Sequence, residues 1–288
     1  MPQTINTNLN SLNAQRSLSM SQSSLATAMQ RLSSGLRVNS AKDDAAGMAI
    51  AERMSSQVRG MSVAVRNAND GISLAQTAEG SLGKEADALQ RMRELAVQSA
   101  NSTNSASDKD SLDKEFGELA KETQRVLGAT TFNGKHVLGS EAGVLQFQVG
   151  ANTTAFDTID ITTFDLTTDS TITAVSGTDN TGAGRAVIDN TASATAIHTV
   201  MDSIDTALNT LNSQRAVLGA SQSRFESVIS ILQVSVENQT AARSRIMDAD
   251  FASETASLSR AQILQQAGNA MVAQANQLPQ QVLRLLQG

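Results

Sequence analysis

Two histidines, one glycine-flanked loop and one acidic pair are the residues whose types and spacing invite chemistry. His136 and His198 lie in different segments, and no His-Glu-x-x-His sets two imidazoles on one helix face for zinc. Both read as exposed structural histidines. The stretch GATTFNGKH, residues 128–136, invites comparison with a phosphate loop. Five residues separate Gly128 from Gly134, however, where that loop has four, and His136 stands where Ser or Thr would hold magnesium. Asn133-Gly134 between apolar residues is instead the short-range signal of a β-hairpin. Asp43 and Asp44 could form an acid pair or a metal site. Adjacent residues on a helix point about 100° apart, and a helix start, where carboxylates favour the dipole, accounts for them better. With no convergent catalytic, cofactor-binding or metal-ligating set, the sequence does not read as an enzyme's.

The framework that would position such groups is equally unlike an enzyme's. The 288 residues include no Trp, Tyr or Cys, and aromatics make up 2%. Aromatic rings supply much of the buried area in ordinary cores, so long helix packing by Ala, Leu, Ile, Val and Met is expected instead. Only Pro2 and Pro279 are present, leaving residues 3–278 without a proline to interrupt a helix. The net charge of -6 and a pI near 5.0, with no basic stripe interleaved with aromatics, argue against a nucleic-acid partner. Zero cysteines exclude disulfides and thiolate metal sites and leave the redox compartment open. The opening MPQTINTNLNSLNAQRSLSM lacks a charged region followed by an apolar one, so no cleavable signal peptide is expected. No run of about 18 apolar residues occurs, and no membrane span is expected.

Apolar residues at alternating intervals of three and four dominate the rest. From Met54 the stripe runs through Val58, Met61, Val65, Ala68, Ile72, Ala75, Leu82 and Ala86 to Leu89, broken only by Glu79. A helix over about 45–99 would be roughly 80 Å long and, with a seven-residue repeat, would pack as a coiled coil. Ile204, Leu211, Leu218, Phe225 and Leu232 repeat the spacing near the other end, and Leu112, Leu119 and Val126 form a shorter run. Residues 99–111 are polar and rich in capping types, with Asp108 or Ser111 as the expected cap of the helix that follows. Two arms carry their own repeats: Leu18, Leu25 and Leu32 at one end, and Leu264, Met271, Leu278 and Leu285 at the other. The first stripe supplies one partner for the second. Two helices still leave apolar flanks, which neighbouring copies would cover.

The middle differs. VLQFQVG and FDTIDITTFDL alternate in hydrophobicity as strands do, whereas 165–196 is dominated by Thr, Ser, Asp, Asn and Gly and reads as exposed and variable. The fold class expected is mainly α: long coiled-coil-like helices from both chain ends forming an elongated rod, with a small β-hairpin region in the middle. The organisation expected is an N-terminal arm over 1–44, the first part of the rod with the hairpin over 45–164, and a short variable segment over 165–196. A rod helix over 197–246 and a C-terminal arm over 247–288 complete it.

Several stretches resemble bacterial flagellin, the subunit of the flagellar filament. INTNLNSLNAQRSL and LSSGLRVNSAKDDAAGMAIAERM are similar to its N-terminal region, QRMRELAVQSANST to its first long rod helix, and TTFNGKHVL to its hairpin. ARSRIMDADFASETASLSRAQILQQAGNAMVAQANQLPQQVLRLL is similar to its C-terminal region. The resemblance implies a structural subunit that self-assembles through its terminal helices into an extracellular filament for motility, in a short form lacking large outer domains. It implies export through the flagellar apparatus, with an export chaperone, the filament cap and the hook–filament junction proteins as partners. It further implies recognition by host Toll-like receptor 5 through the motif matched by Leu89, Gln90, Arg91, Leu95 and Glu115. The competing readings are a junction protein sharing the terminal helices, and a coiled-coil signalling or membrane-active protein. Against the last, residues 258–288 hold only Arg260 and Arg284, too few for anionic lipid.

Overall fold

The computed structural model describes the backbone of residues 7–287 and the side chains of residues 7–277. Each heptad stripe becomes a helix. α1 spans Leu9–Ser34, α2 Ala45–Ser99, α3 Ala106–Ala129, α4 Ser170–Ser176, α5 Ala194–Met247 and α6 Phe251–Gln287. Four short strands lie between α3 and α4: β1 Thr131–Phe132, β2 Lys135–His136, β3 Val144–Gln148 and β4 Thr158–Thr162. The chain divides into two units, Met1–Ser56 with Glu237–Gly288, and Gln57–Val236.

In the first unit α1 and α6 pair antiparallel. Asn8 caps α1 by accepting from Ser11 N–H, and its amide donates to the Ala275 carbonyl at 2.7 Å. Gly35, at φ 70°, ends the helix with its N–H on the Arg31 carbonyl, a left-handed conformation that suits glycine. The chain then runs alongside the α5–α6 junction. Arg37 N–H donates to Met247 O at 2.7 Å and Ala249 N–H to Gly35 O at 2.9 Å, while the Arg37 guanidinium donates to Ile246 O at 2.7 Å. The acidic pair does two local jobs here. Asp43 accepts from the Ser40 hydroxyl and N–H and from Asn39 N–H, and these donors, the Ser40 hydroxyl foremost, hold its carboxyl below the usual range. Asp44 accepts from Gly47 N–H at 2.8 Å at the start of α2.

In the second unit α2 runs antiparallel to both α3 and α5. The α5 stripe is as its spacing predicts: Ile204, Leu211, Leu218, Phe225 and Leu232 are all buried. α2 buries a wider face than one heptad seam, adding Leu74, Ala78, Met92, Leu95 and Ala96, because a helix flanked by two partners hides two adjoining stripes. Gly71 makes room for Phe225, whose ring meets Phe147 edge-on with centroids 5.6 Å apart. Asn133 at φ 50° and Gly134 at φ 79° form the tight turn between β1 and β2, the conformation for which Asn-Gly is favoured. β3 and β4 pair antiparallel with Leu145 opposite Ile161 and Phe147 opposite Ile159, which puts the apolar alternates on one face.

Two expectations need correction. The cap of α3 is Ser105, which accepts from Asp108 N–H while the Asp108 carboxylate accepts from Ser105 N–H; Asp108 is the reciprocal partner and Ser111 is inside the helix. Residues 165–196 are not exposed throughout. Leu166, Ile172, Val175 and Ile188 are at most 1% exposed, and Gln124 on α3 donates to Ser176 Oγ and Gly177 O. Arg185 grips both carboxylate oxygens of Asp113, at 2.9 and 2.5 Å, and Asp113 also accepts from Ile188 N–H. Four apolar residues scattered among polar ones carry no periodic signal, so their burial is invisible in the sequence.

Candidate assembly and recognition surfaces

The residues singled out by sequence fall on two surfaces, one in each unit. On the α1–α6 pair, Leu18, Leu25 and Leu32 of α1 are half-buried, and Leu18 lies against Gly268, where an added Cβ would come within 3.1 Å of Leu18 Cδ1. The face that α6 buries is made of small residues: Ala261 and Ala275 are buried, and Gly268 is partly covered. Small side chains let two helix backbones approach closely. The expected partner stripe stands elsewhere. Leu264 and Met271 are 50% and 62% exposed, with Ile263 at 65% beside them; they turn away from α1 because the Ala261–Gly268–Ala275 repeat occupies the contact. The side chains of Leu278 and Leu285 lie outside the described residues. α1 likewise leaves Leu9, Leu12, Met20 and Met29 more than half exposed. Both helices thus carry outward an apolar set that no described residue of the unit covers, and clustered exposed apolar side chains gain by burial against a partner.

Polar groups fix this pair in register. Ser11 Oγ donates to Asn276 Oδ1 at 2.7 Å at one end, and Arg31 approaches Glu254 at 4.0 Å at the other.

The second surface lies on α2 and α3. Arg91 donates to Glu115 across the helices at 2.8 Å and to Glu94 within α2 at 2.9 Å. Both carboxylates raise the guanidinium's pKa, Glu94 by its hydrogen bond most of all. Gln90, Arg91 and Glu115 are exposed, but Leu89 and Leu95 are 0% exposed. Arg91 and Leu95 therefore do not present a joint contact, although they are four residues apart. α2 is wide enough in its burial that one turn carries the charge outward and the next carries leucine into the core. Leu89 and Leu95 set the position of the exposed trio from beneath. Glu94 was legible as a neighbour three residues along the helix; the ion pair between Arg91 and Glu115 carries no local sequence signal, because it crosses from α2 to α3.

One further group sits just inside this surface. Glu85, on α2, is 2% exposed, and neither its Oε2 nor the Thr123 hydroxyl facing it from α3 finds a well-aligned partner. Burial, only partly opposed by that hydroxyl, pushes the Glu85 carboxyl up to about 8, with Glu122 adding to the rise and Arg125 opposing it. It is a neutral acid near pH 7. Its place among alanines and leucines marks it as a structural anomaly rather than an acid awaiting a substrate, since no second catalytic group converges on it. His198 is exposed on α5, and His136 gives its backbone N–H to Glu141. Among the described residues no group of three or more His, Cys, Asp or Glu side chains is placed to hold a metal, and no helix is long and apolar enough to cross a membrane.

Residues 5–142 match the family model of the bacterial flagellin N-terminal helical region, and residues 201–286 that of the C-terminal helical region. A flagellin of Halalkalibacterium halodurans is 45% identical over 283 residues, covering 98% of this chain and 99% of the relative. A flagellin of Bacillus subtilis is 41% identical over 302 residues, covering 98% and 99%. A crystal structure of Bacillus cereus flagellin aligns with a TM-score of 0.46 at 29% identity, over 62% of this chain and 94% of that one.

Proposed function

The chain belongs to the bacterial flagellin family, and from that premise we propose that the outward apolar sides of α1 and α6 are the surfaces through which its subunits polymerise. A flagellin is a structural subunit of the extracellular flagellar filament, built by self-polymerisation for motility, and not an enzyme. The observation that carries the finer reading is the exposure of Leu264 and Met271, with Ile263, on a helix whose inward face is already filled by Ala261, Gly268 and Ala275. Neighbouring subunits gain by burying these side chains, which are 50–65% exposed, so covering each contributes about half to two thirds of the 1.5–3 kcal/mol of a full burial, or about 1–2 kcal/mol. The filament cap, hook–filament junction proteins and an export chaperone are the further partners that membership of the family suggests.

The test is a pair of charges. Leu264→Glu with Met271→Glu should leave monomer helicity and melting unchanged while filaments, counted by electron microscopy, disappear. Normal filaments from that variant would remove these residues from the interface.

The exposed trio Gln90, Arg91 and Glu115 supports a second role for the same chain, recognition by Toll-like receptor 5. Arg91→Ala should lower the monomer's potency in a receptor reporter assay by about tenfold or more, as expected for a buried charge-assisted contact. An unchanged dose response would refute the contact. Leu89 and Leu95 act through the core, so truncating either should lower potency only together with thermal stability.

A further inference from the structure

Among the described residues the exposed methionines all lie in the first unit, which also holds the partly buried Met54 and Met247. Met20, Met29 and Met271 are 59%, 51% and 62% exposed, and Met48 is 39% exposed; all four lie in the first unit. In the second unit Met61 and Met92 are 6% and 0% exposed, and Met201 is partly buried. The chain has no cysteine, so its thioethers are the sulfur that a peroxide can oxidise. Methionine suits an assembly face because its flexible, polarisable side chain packs against varied neighbours. The same exposure leaves the sulfur lone pairs open to solution until a neighbour covers them.

We infer that Met20, Met29 and Met271 form an oxidation-sensitive site at which peroxide acting on the unassembled subunit blocks polymerisation. The inference rests on the assembly reading of α1 and α6. The sulfur lone pair takes one oxygen of hydrogen peroxide as the O–O bond breaks. Sulfur is oxidised by two electrons to the sulfoxide, and the other oxygen leaves as water after proton transfer. The product is polar and chiral where an apolar group stood. In the free subunit each sulfoxide faces water and leaves the α1–α6 pairing intact. In a subunit contact its oxygen lacks a donor, and one such buried group weakens addition by about tenfold.

The experiment compares filament growth from seeds using untreated subunits, subunits treated with hydrogen peroxide, and treated Met20→Leu/Met29→Leu/Met271→Leu subunits, with sulfoxides mapped by peptide mass spectrometry. Treated wild-type subunits should keep their circular dichroism yet grow filaments at least about tenfold more slowly, and methionine sulfoxide reductases should restore growth. Whatever its own basal rate, the treated triple variant should grow as the same variant does untreated, with sulfoxide at Met48 recording that the oxidant acted. Undiminished growth of treated wild-type subunits, or equal inhibition of the triple variant, overturns the site. If untreated subunits grow but tolerate both the oxidation and the Leu264→Glu/Met271→Glu change, the assembly reading falls with it.

Discussion

Replacing Glu85 by glutamine should flatten the pH dependence of this protein's stability. The carboxyl is 2% exposed between α2 and α3 and is held up to about 8 against an ordinary 4.5. Across that window the folded chain keeps a proton that the unfolded chain has released. Stability therefore falls as pH rises, with no effect from this group below about 4.5 and the full loss reached above about 8. The gap, at about 1.4 kcal/mol per pH unit, corresponds to about 5 kcal/mol as an upper figure. That is a large part of a stability of about 5–15 kcal/mol. Glutamine keeps the shape of the neutral acid and can give its amide N–H to the Thr123 hydroxyl, so the variant should match wild type near pH 5. It should exceed wild type increasingly towards pH 9. Urea unfolding of the monomer followed by far-ultraviolet circular dichroism, at half-unit steps from pH 5 to 9.5, measures this directly. Glu122 and Arg125 are the charged groups facing the carboxyl, and Glu122→Gln should shift the window without abolishing it. Parallel curves for wild type and Glu85→Gln would refute the reasoning.

Gly71→Ala places a Cβ 2.8 Å from the Phe225 ring and should cost about 1–3 kcal/mol by overpacking; adding Phe225→Leu should recover part of it, as a double-mutant cycle in urea would show. Asp113→Asn leaves the Arg185 guanidinium under α3 without its counter-charge and should cost about 2–4 kcal/mol in the same assay. For Asp113 itself, burial raises the carboxyl, but Arg185 and Ile188 N–H together outweigh it and hold it below 3.8. Its contribution is thus present above that ordinary value and lost as pH falls through the lower folded one. The Asp113→Asn variant should show a correspondingly shallower loss of stability below pH 4.

Sequence alone determined the long helices, but not α4, which lies inside the segment 165–196 read as exposed and variable. The seven-residue repeats, with no proline between residues 3 and 278, placed α2 at Ala45–Ser99, and Asn133-Gly134 placed the hairpin turn. Both signals are local: periodicity reports which residues share a face, and a turn residue reports its own backbone angle. The family resemblance was legible for the same reason, since its motifs are contiguous. What tertiary structure decided is which of two apolar stripes on one helix is satisfied within the chain. On α6, Ala261, Gly268 and Ala275 meet α1 while the larger Leu264 and Met271 stay outward. Residue size would suggest the reverse, but close backbone approach favours small side chains at the contact. On α2, three-helix packing carried Leu89 and Leu95 inward from beside an exposed Arg91. The Asp113–Arg185 pair, 72 residues apart, exists only because the chain returns over α3. Local spacing sets the faces of each helix; only the choice of neighbours sets what each face meets.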